Sequence, residues 1–86
     1  MTRQTYVIKE PLDNVLGKLW NIPDSYMRLS GGKIINYEIG HCIFTIKLEE
    51  DNITAEINSM DGSSRLNKAF TKIKKLTELD FEENGN

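Results

Sequence analysis

The sequence contains very little of the chemistry that metal sites and enzymes commonly use. It has one cysteine and one histidine, and the two are neighbours, His41 and Cys42. One thiol forms no internal disulfide and supplies no cysteine-rich zinc site. Neighbouring residues on a strand point to opposite faces, so this pair would not converge on one centre. With no nucleophile–base set elsewhere, we expect no metal, no cofactor and no enzymatic activity.

Long apolar runs are also missing. No stretch approaches the roughly 18 apolar residues of a membrane-spanning helix, and residues 1–6 lack the apolar core of a secretory signal. These absences predict a cytoplasmic protein with no membrane partner. The 86 residues, 38% of them hydrophobic, have the size and composition of one globular domain.

Two segments have the periodicity of amphipathic helices. The first follows Pro11, which suits a first helical turn, and should end near Asn21 because Pro23 disfavours helix at the residue before it. Its apolar stripe, which assigns Trp20 to the core, comprises Leu12, Val15, Leu16, Leu19 and Trp20. The second should run from about Ser64 to Leu79, with an apolar face of Leu66, Ala69, Phe70, Ile73 and Leu76.

Three segments between these helices alternate apolar and polar residues, which is typical of half-buried strands. They lie within 34–39, 42–48 and 53–58, and a shorter β segment at 6–9 precedes the first helix. The predicted fold is α+β with the order β-α-β-β-β-α. It has two layers, an antiparallel three- to four-stranded sheet with two helices packed on one face. The domain should span 1–81, followed by an acidic flexible tail at 82–86.

Charge is distributed unevenly along the chain. The net charge is −2, but residues 62–76 contain five cations and no acid, which leaves −7 on the other residues. At 100° per residue, four of these cations fall within an arc of about 80°, whose centre lies roughly 120° from the centre of the second helix's apolar face. These four define the basic ridge: Arg65, Lys68, Lys72 and Lys75.

The basic ridge has two interpretations. Lysines are good helix formers and are favoured towards a helix C-terminus, so the ridge could be a solvated face. It could instead neutralise nucleic-acid phosphates. The lack of interspersed acids and the hydroxyls of Ser63 and Ser64 favour phosphate binding, whereas the acidic net charge opposes it. The candidate RNA contacts are the basic ridge, with Lys74, Ser64 and His41 as helpers.

The order α-β-β-β-α over residues 11–79 resembles the double-stranded RNA-binding domain. That family begins its second helix with Ser-Lys-Lys-x-Ala-Lys after a glycine. Here Ser63, Arg65 and Lys68 match, while Ser64 replaces the first lysine and Asn67 replaces the alanine. The resemblance implies that the second helix grips phosphates across a groove of the RNA.

The predicted strands carry two further points of similarity. Phe44-Thr45-Ile46 is similar to the aromatic-Thr-Val of that family's sheet. Gly40-His41 corresponds to part of its Gly-Pro-x-His loop, which enters the minor groove, but the proline is absent and the loop is shorter.

Two classes of function follow. The first is a small non-enzymatic RNA-binding or RNA-associated regulatory protein that uses the basic ridge. The alternative is a small protein inhibitor or adaptor, of virus type or antitoxin type, that docks on a host protein such as an RNA-handling enzyme. Its candidate contacts are the acidic segment 49–51 and the tail, which would meet a basic partner. A homo-oligomer with a covered sheet face or edge is a third interpretation.

Overall fold

The computed structural model describes residues 2–28, 31–49, 52–60 and 62–83, apart from the side chain of Ser63. The first half contains β1 (Thr2–Ile8), α1 (Leu12–Leu19), a 3-10 turn (Asp24–Tyr26) and β2 (Ile34–Ile39). The second half contains β3 (Cys42–Glu49), β4 (Asn52–Ser59), α2 (Ser63–Thr77) and β5 (Phe81–Glu83). The predicted α+β class is confirmed. No described helix has the length and apolar character needed to cross a membrane.

The sheet has one apolar face because buried and exposed side chains alternate along its strands, and the pairing of the strands places the buried residues side by side. β3 lies between β2 and β4, and Phe44 pairs with Tyr37 on one side and with Ile57 on the other. All three side chains are buried, and Val15 of α1 and Ile73 of α2 belong to the same core. The predicted two-layer arrangement, with both helices packed on one face of the sheet, is therefore confirmed.

The sheet is wider than the sequence predicts, with five antiparallel strands in the order β2-β3-β4-β1-β5. β1 pairs along its whole length with β4, so the first strand joins the sheet formed by β2, β3 and β4. β5 pairs with β1 and includes Glu82 and Glu83, which the sequence assigns to a flexible tail. The strand forms there because Phe81 packs beside Tyr6 and Phe70 and fixes the chain at this edge. Residues 84–86 lie outside the described residues.

The prediction that Trp20 lies in the core is wrong. Its side chain is 83% exposed, and Leu16 is 38% exposed. The predicted stripe of α1 is about 140° wide at 100° per residue, whereas its buried residues Val15 and Leu19 lie within about 40° of one another. The core therefore accepts only part of the stripe, and Leu16 and Trp20 remain on the solvent side.

The connection from β2 to β3 is a two-residue hairpin loop. Gly40 and His41 have φ angles of 57° and 64°, and the flanking residues Ile39 and Cys42 pair directly. Two successive left-handed residues are typical of a type I′ turn, whose twist matches that of the strands. The predicted turn at Gly40 is thus confirmed, and it presents the imidazole of His41 to solvent.

Candidate nucleic-acid interface

The two faces of α2 differ sharply in burial. Leu66, Ala69 and Ile73 are buried against the sheet. All members of the basic ridge are exposed: Arg65, Lys68, Lys72 and Lys75. The 3.6-residue repeat of the helix causes this separation, because the buried and basic residues recur at different angles around one axis.

The N-terminal half of α2 and the β2–β3 turn form a groove between them. The groove has a volume of about 400 Å³. We call it the basic groove, and its lining comprises Ile39, Gly40, Ser64, Arg65, Lys68, Ala69 and Lys72. The fold thus brings together three ridge cations, one predicted helper and Gly40 of the turn that contains His41. Lys75, one turn farther along the helix from Lys72, is exposed but does not line the groove.

Tyr26 holds Lys72 at the edge of the basic groove. The Nζ of Lys72 donates a hydrogen bond of 2.7 Å to the Tyr26 hydroxyl and lies 4.8 Å from the centroid of its ring. The tyrosine ring is half-buried and packs against the core. A neutral phenol orients the ammonium group without cancelling its charge. The lysine therefore remains able to attract an anion.

Acidic side chains pair with some of the cations elsewhere on the described surface, although Lys33 and Lys47 have no such partner there. Arg3 pairs with Glu56 at 3.4 Å and Arg28 with Glu38 at 3.3 Å. Within the described ranges, Lys68, Lys72 and Lys75 have no carboxylate oxygen within 4.0 Å. No carboxylate among the described residues therefore pairs with the lysines of the ridge.

The described part of the predicted tail points away from the basic ridge. A carboxylate oxygen of Glu82 lies 3.8 Å from the Nζ of Lys9. Glu83 accepts a 2.8 Å hydrogen bond from the side-chain amide of Gln4. Both partners belong to or adjoin β1, because β5 is held at that edge of the sheet. These two carboxylates therefore do not fold back to neutralise the ridge. In the acidic segment 49–51, only Glu49 is described, and it is exposed.

Lys74, predicted as a helper, lies apart from the basic groove. It is nine residues after Arg65, which places it about 180° around the helix from Arg65. Its Nζ lies 5.5 Å from the centroid of the Phe70 ring. The sequential run of lysines therefore divides between two sides of α2. His41 is exposed beside Gly40 in the turn that borders the groove.

The sequence alone did not reveal the contact between Tyr26 and Lys72. These residues are 46 positions apart, and their contact depends on the packing of the 3-10 turn against α2. The only available signal was a tyrosine in an irregular segment, which does not specify a partner.

Comparison with protein-family models, curated proteins and solved structures finds no match to this chain. The resemblance to the double-stranded RNA-binding domain therefore remains a prediction from the residues.

Proposed function

We propose that this protein is a non-enzymatic RNA-binding protein whose basic groove and basic ridge contact the phosphate backbone. The observation that carries this proposal is the convergence of Lys68 and Lys72, without carboxylate neighbours among the described residues, with the β2–β3 turn on one open groove. Exposed lysines release counterions when they meet phosphates, which makes binding favourable and dependent on salt.

The length of the ridge sets the size of the footprint. From Arg65 to Lys75 the helix rises about 15 Å, at 1.5 Å per residue. In duplex DNA the phosphates of one strand follow one another by roughly 3.4 Å of axial rise, so a ridge parallel to such an axis spans about four of them. Contacts of this kind fix the position of an RNA but do not read its sequence.

The choice of RNA over DNA rests on the resemblance of residues 11–79 to the RNA-binding family and on the position of Ser64. The exposed Ser64 side chain lines the basic groove. A hydroxyl at this point can exchange a hydrogen bond with a ribose 2′-hydroxyl, the group that distinguishes RNA from DNA. We therefore expect a preference for RNA duplexes over DNA duplexes of the same sequence.

The test is a charge reversal within the groove. The double variant Lys68→Glu/Lys72→Glu should weaken binding to a fluorescently labelled RNA duplex at least about tenfold, since two favourable phosphate contacts become repulsive. Fluorescence anisotropy at low salt measures the affinity. Circular dichroism and thermal melting check that the exposed substitutions leave the fold intact.

A matched control changes the net charge equally on other parts of the surface. Lys33 and Lys47 are exposed and do not line the basic groove, so Lys33→Glu/Lys47→Glu should leave most of the affinity in place. Equal losses in the two double variants would mean that overall charge, and not the groove, governs binding. The variant Lys68→Gln/Lys72→Gln removes the two positive charges without adding negative ones. It should also weaken RNA binding, by less than the charge reversal does.

A further inference from the structure

The solvent side of α1 combines apolar and acidic residues. Asp13, Leu16, Gly17 and Trp20 lie within an arc of about 100° on this helix. All four are exposed, and the indole of Trp20 is 83% accessible. Trp20 retains helical backbone angles at the C-cap, so its side chain continues the same stripe. We call these four residues the α1 stripe.

An apolar cleft lies beside the α1 stripe, between α1, the 3-10 turn and β2. Leu16 and Trp20 form one wall, and Met27, which is 42% exposed, and Ile35 contribute another. Its volume is about 150 Å³. An engineered protein cavity of about that volume accommodates benzene, so this cleft has room for one large apolar side chain.

The acids around this surface have no basic partners among the described residues. Asp13 lies at one end of the α1 stripe, and Asp24 lines the cleft near the other. Neither has a Lys or Arg nitrogen within 4.0 Å in the described ranges. Lys18, the one lysine of α1, lies on another side of the helix, where it binds Glu10 at 2.7 Å. The surface is therefore apolar at its centre, with a carboxylate that has no described basic partner at each end. Arg28, which adjoins Met27, is paired with Glu38.

This combination discriminates between kinds of partner. A polyanion such as RNA would be repelled by Asp13 and Asp24, whereas a basic polypeptide would be attracted. Exposed tryptophan beside other apolar side chains is typical of the anchoring centre of a protein interface. We propose that the α1 stripe and its cleft bind a segment of a partner protein in which a large apolar side chain is flanked by lysine or arginine.

Trp20 supplies the readout because it is the only tryptophan in the chain. The probe is a short synthetic peptide with a central Leu-Phe pair and two lysines on each side. Its binding should move the Trp20 fluorescence emission to shorter wavelength, because the partner covers an indole that is exposed in the isolated protein. Two companion peptides, with glutamates for the lysines or serines for the Leu-Phe pair, should bind at least about tenfold more weakly.

Substitutions then assign the binding to this surface. With a labelled lysine peptide followed by anisotropy, Leu16→Ser/Met27→Ser should weaken binding at least about tenfold. Asp13→Asn/Asp24→Asn should reduce the dependence of binding on salt, because the charges that attract the lysines are gone. The matched control Ile43→Ser/Met60→Ser removes two other exposed apolar side chains, of 38% and 76% exposure, and should bind as the native protein does.

This assignment is wrong if none of the three peptides binds, or if all three bind equally well. It is also wrong if neither Leu16→Ser/Met27→Ser nor Asp13→Asn/Asp24→Asn changes the binding of the lysine peptide. A blue shift that appears as the concentration of the protein alone rises would show that a second copy covers the surface. The same shift on addition of an RNA duplex would identify a nucleic-acid surface. RNA binding is measured with the lysine variants of α2, so either proposal can fail without the other.

Discussion

At the residue scale, Glu10 joins three parts of the chain. One carboxylate oxygen accepts hydrogen bonds from Lys18 Nζ at 2.7 Å and from the Asn14 side-chain amide at 3.2 Å. The other accepts the backbone N–H of Asp80 at 2.8 Å, just before β5. The Glu10 side chain is only 12% exposed. A single carboxylate thus links the end of β1 to α1 and to the start of the last strand.

The environment of Glu10 predicts a pH-dependent contribution to stability. The hydrogen bond from Lys18, followed by that from the Asp80 backbone, holds the pKa of the Glu10 carboxyl below its usual 4.5. Because the folded-state pKa is the lower one, this stabilisation is present above the unfolded-state pKa and disappears as the pH falls through the folded-state pKa. Glu10→Gln should therefore cost about 1 kcal/mol at neutral pH, allowing for solvent screening, and less in acid.

Urea unfolding of the native protein and of Glu10→Gln, at neutral pH and at a pH well below 4.5, measures this difference. Glu49→Gln is the control, since Glu49 is an exposed carboxylate at the end of β3. A difference between the native protein and Glu10→Gln that stays constant down to low pH would contradict the assigned role of Glu10.

At the scale of the element, β5 depends on one aromatic side chain. Phe81 makes edge contacts with the rings of Tyr6 at 5.7 Å, Phe70 at 5.3 Å and Phe44 at 6.1 Å, measured between centroids. Tyr6 and Phe70 stack on each other at 4.4 Å. A strand of three residues has few hydrogen bonds of its own, so this ring cluster provides much of what holds it against β1.

Removing this ring should detach β5. Phe81→Ala is expected to cost about 2 kcal/mol, less than the roughly 3–5 kcal/mol for a fully buried phenylalanine, because Phe81 is half-buried. Amide hydrogen exchange at Glu82 and Glu83 should accelerate more than exchange in β3. The control Glu82→Ala removes only an exposed ion pair and should cost less than about 1 kcal/mol. Unchanged exchange in Phe81→Ala would show that backbone pairing alone holds the strand.

The sequence predicted elements whose periodicity extends over several residues. The alternation in 42–48 and the 3.6-residue repeat of α2 identify both elements to within two residues of their observed ends. β5 was missed because three residues are too few to show a period. Trp20 was wrongly assigned to the core because the sequence shows the directions of the side chains around α1 but not how much of the helix surface the core covers. The basic ridge could be predicted from the helical period alone. The basic groove could not, because it depends on the packing of Gly40 near α2, and these are distant in the sequence.

At the scale of the whole molecule, the 3-10 turn separates surfaces of opposite charge. Tyr26 contacts Lys72 at the basic groove, while Asp24, two residues earlier, lines the apolar cleft. Three of the five cations of residues 62–76 line the basic groove, whereas Asp13 and Asp24 lie on the side of α1 and the apolar cleft. Under the proposed function, an RNA would approach the basic groove and not the α1 side, where Asp13 and Asp24 would repel it.

This separation predicts how RNA affinity responds to salt. Each neutralised phosphate contributes roughly −0.9 to the slope of log K against log salt for duplex DNA, so contacts from three or four ridge cations give a slope of about −3 for an RNA duplex. Lys68→Gln should make the slope less negative by about one, because one contact is lost. Lys47→Gln should lower affinity only slightly and keep the slope, since Lys47 lies on the sheet face opposite the helices. Anisotropy titrations at several salt concentrations measure both slopes, and an equal change in the two variants would place the RNA outside the basic groove.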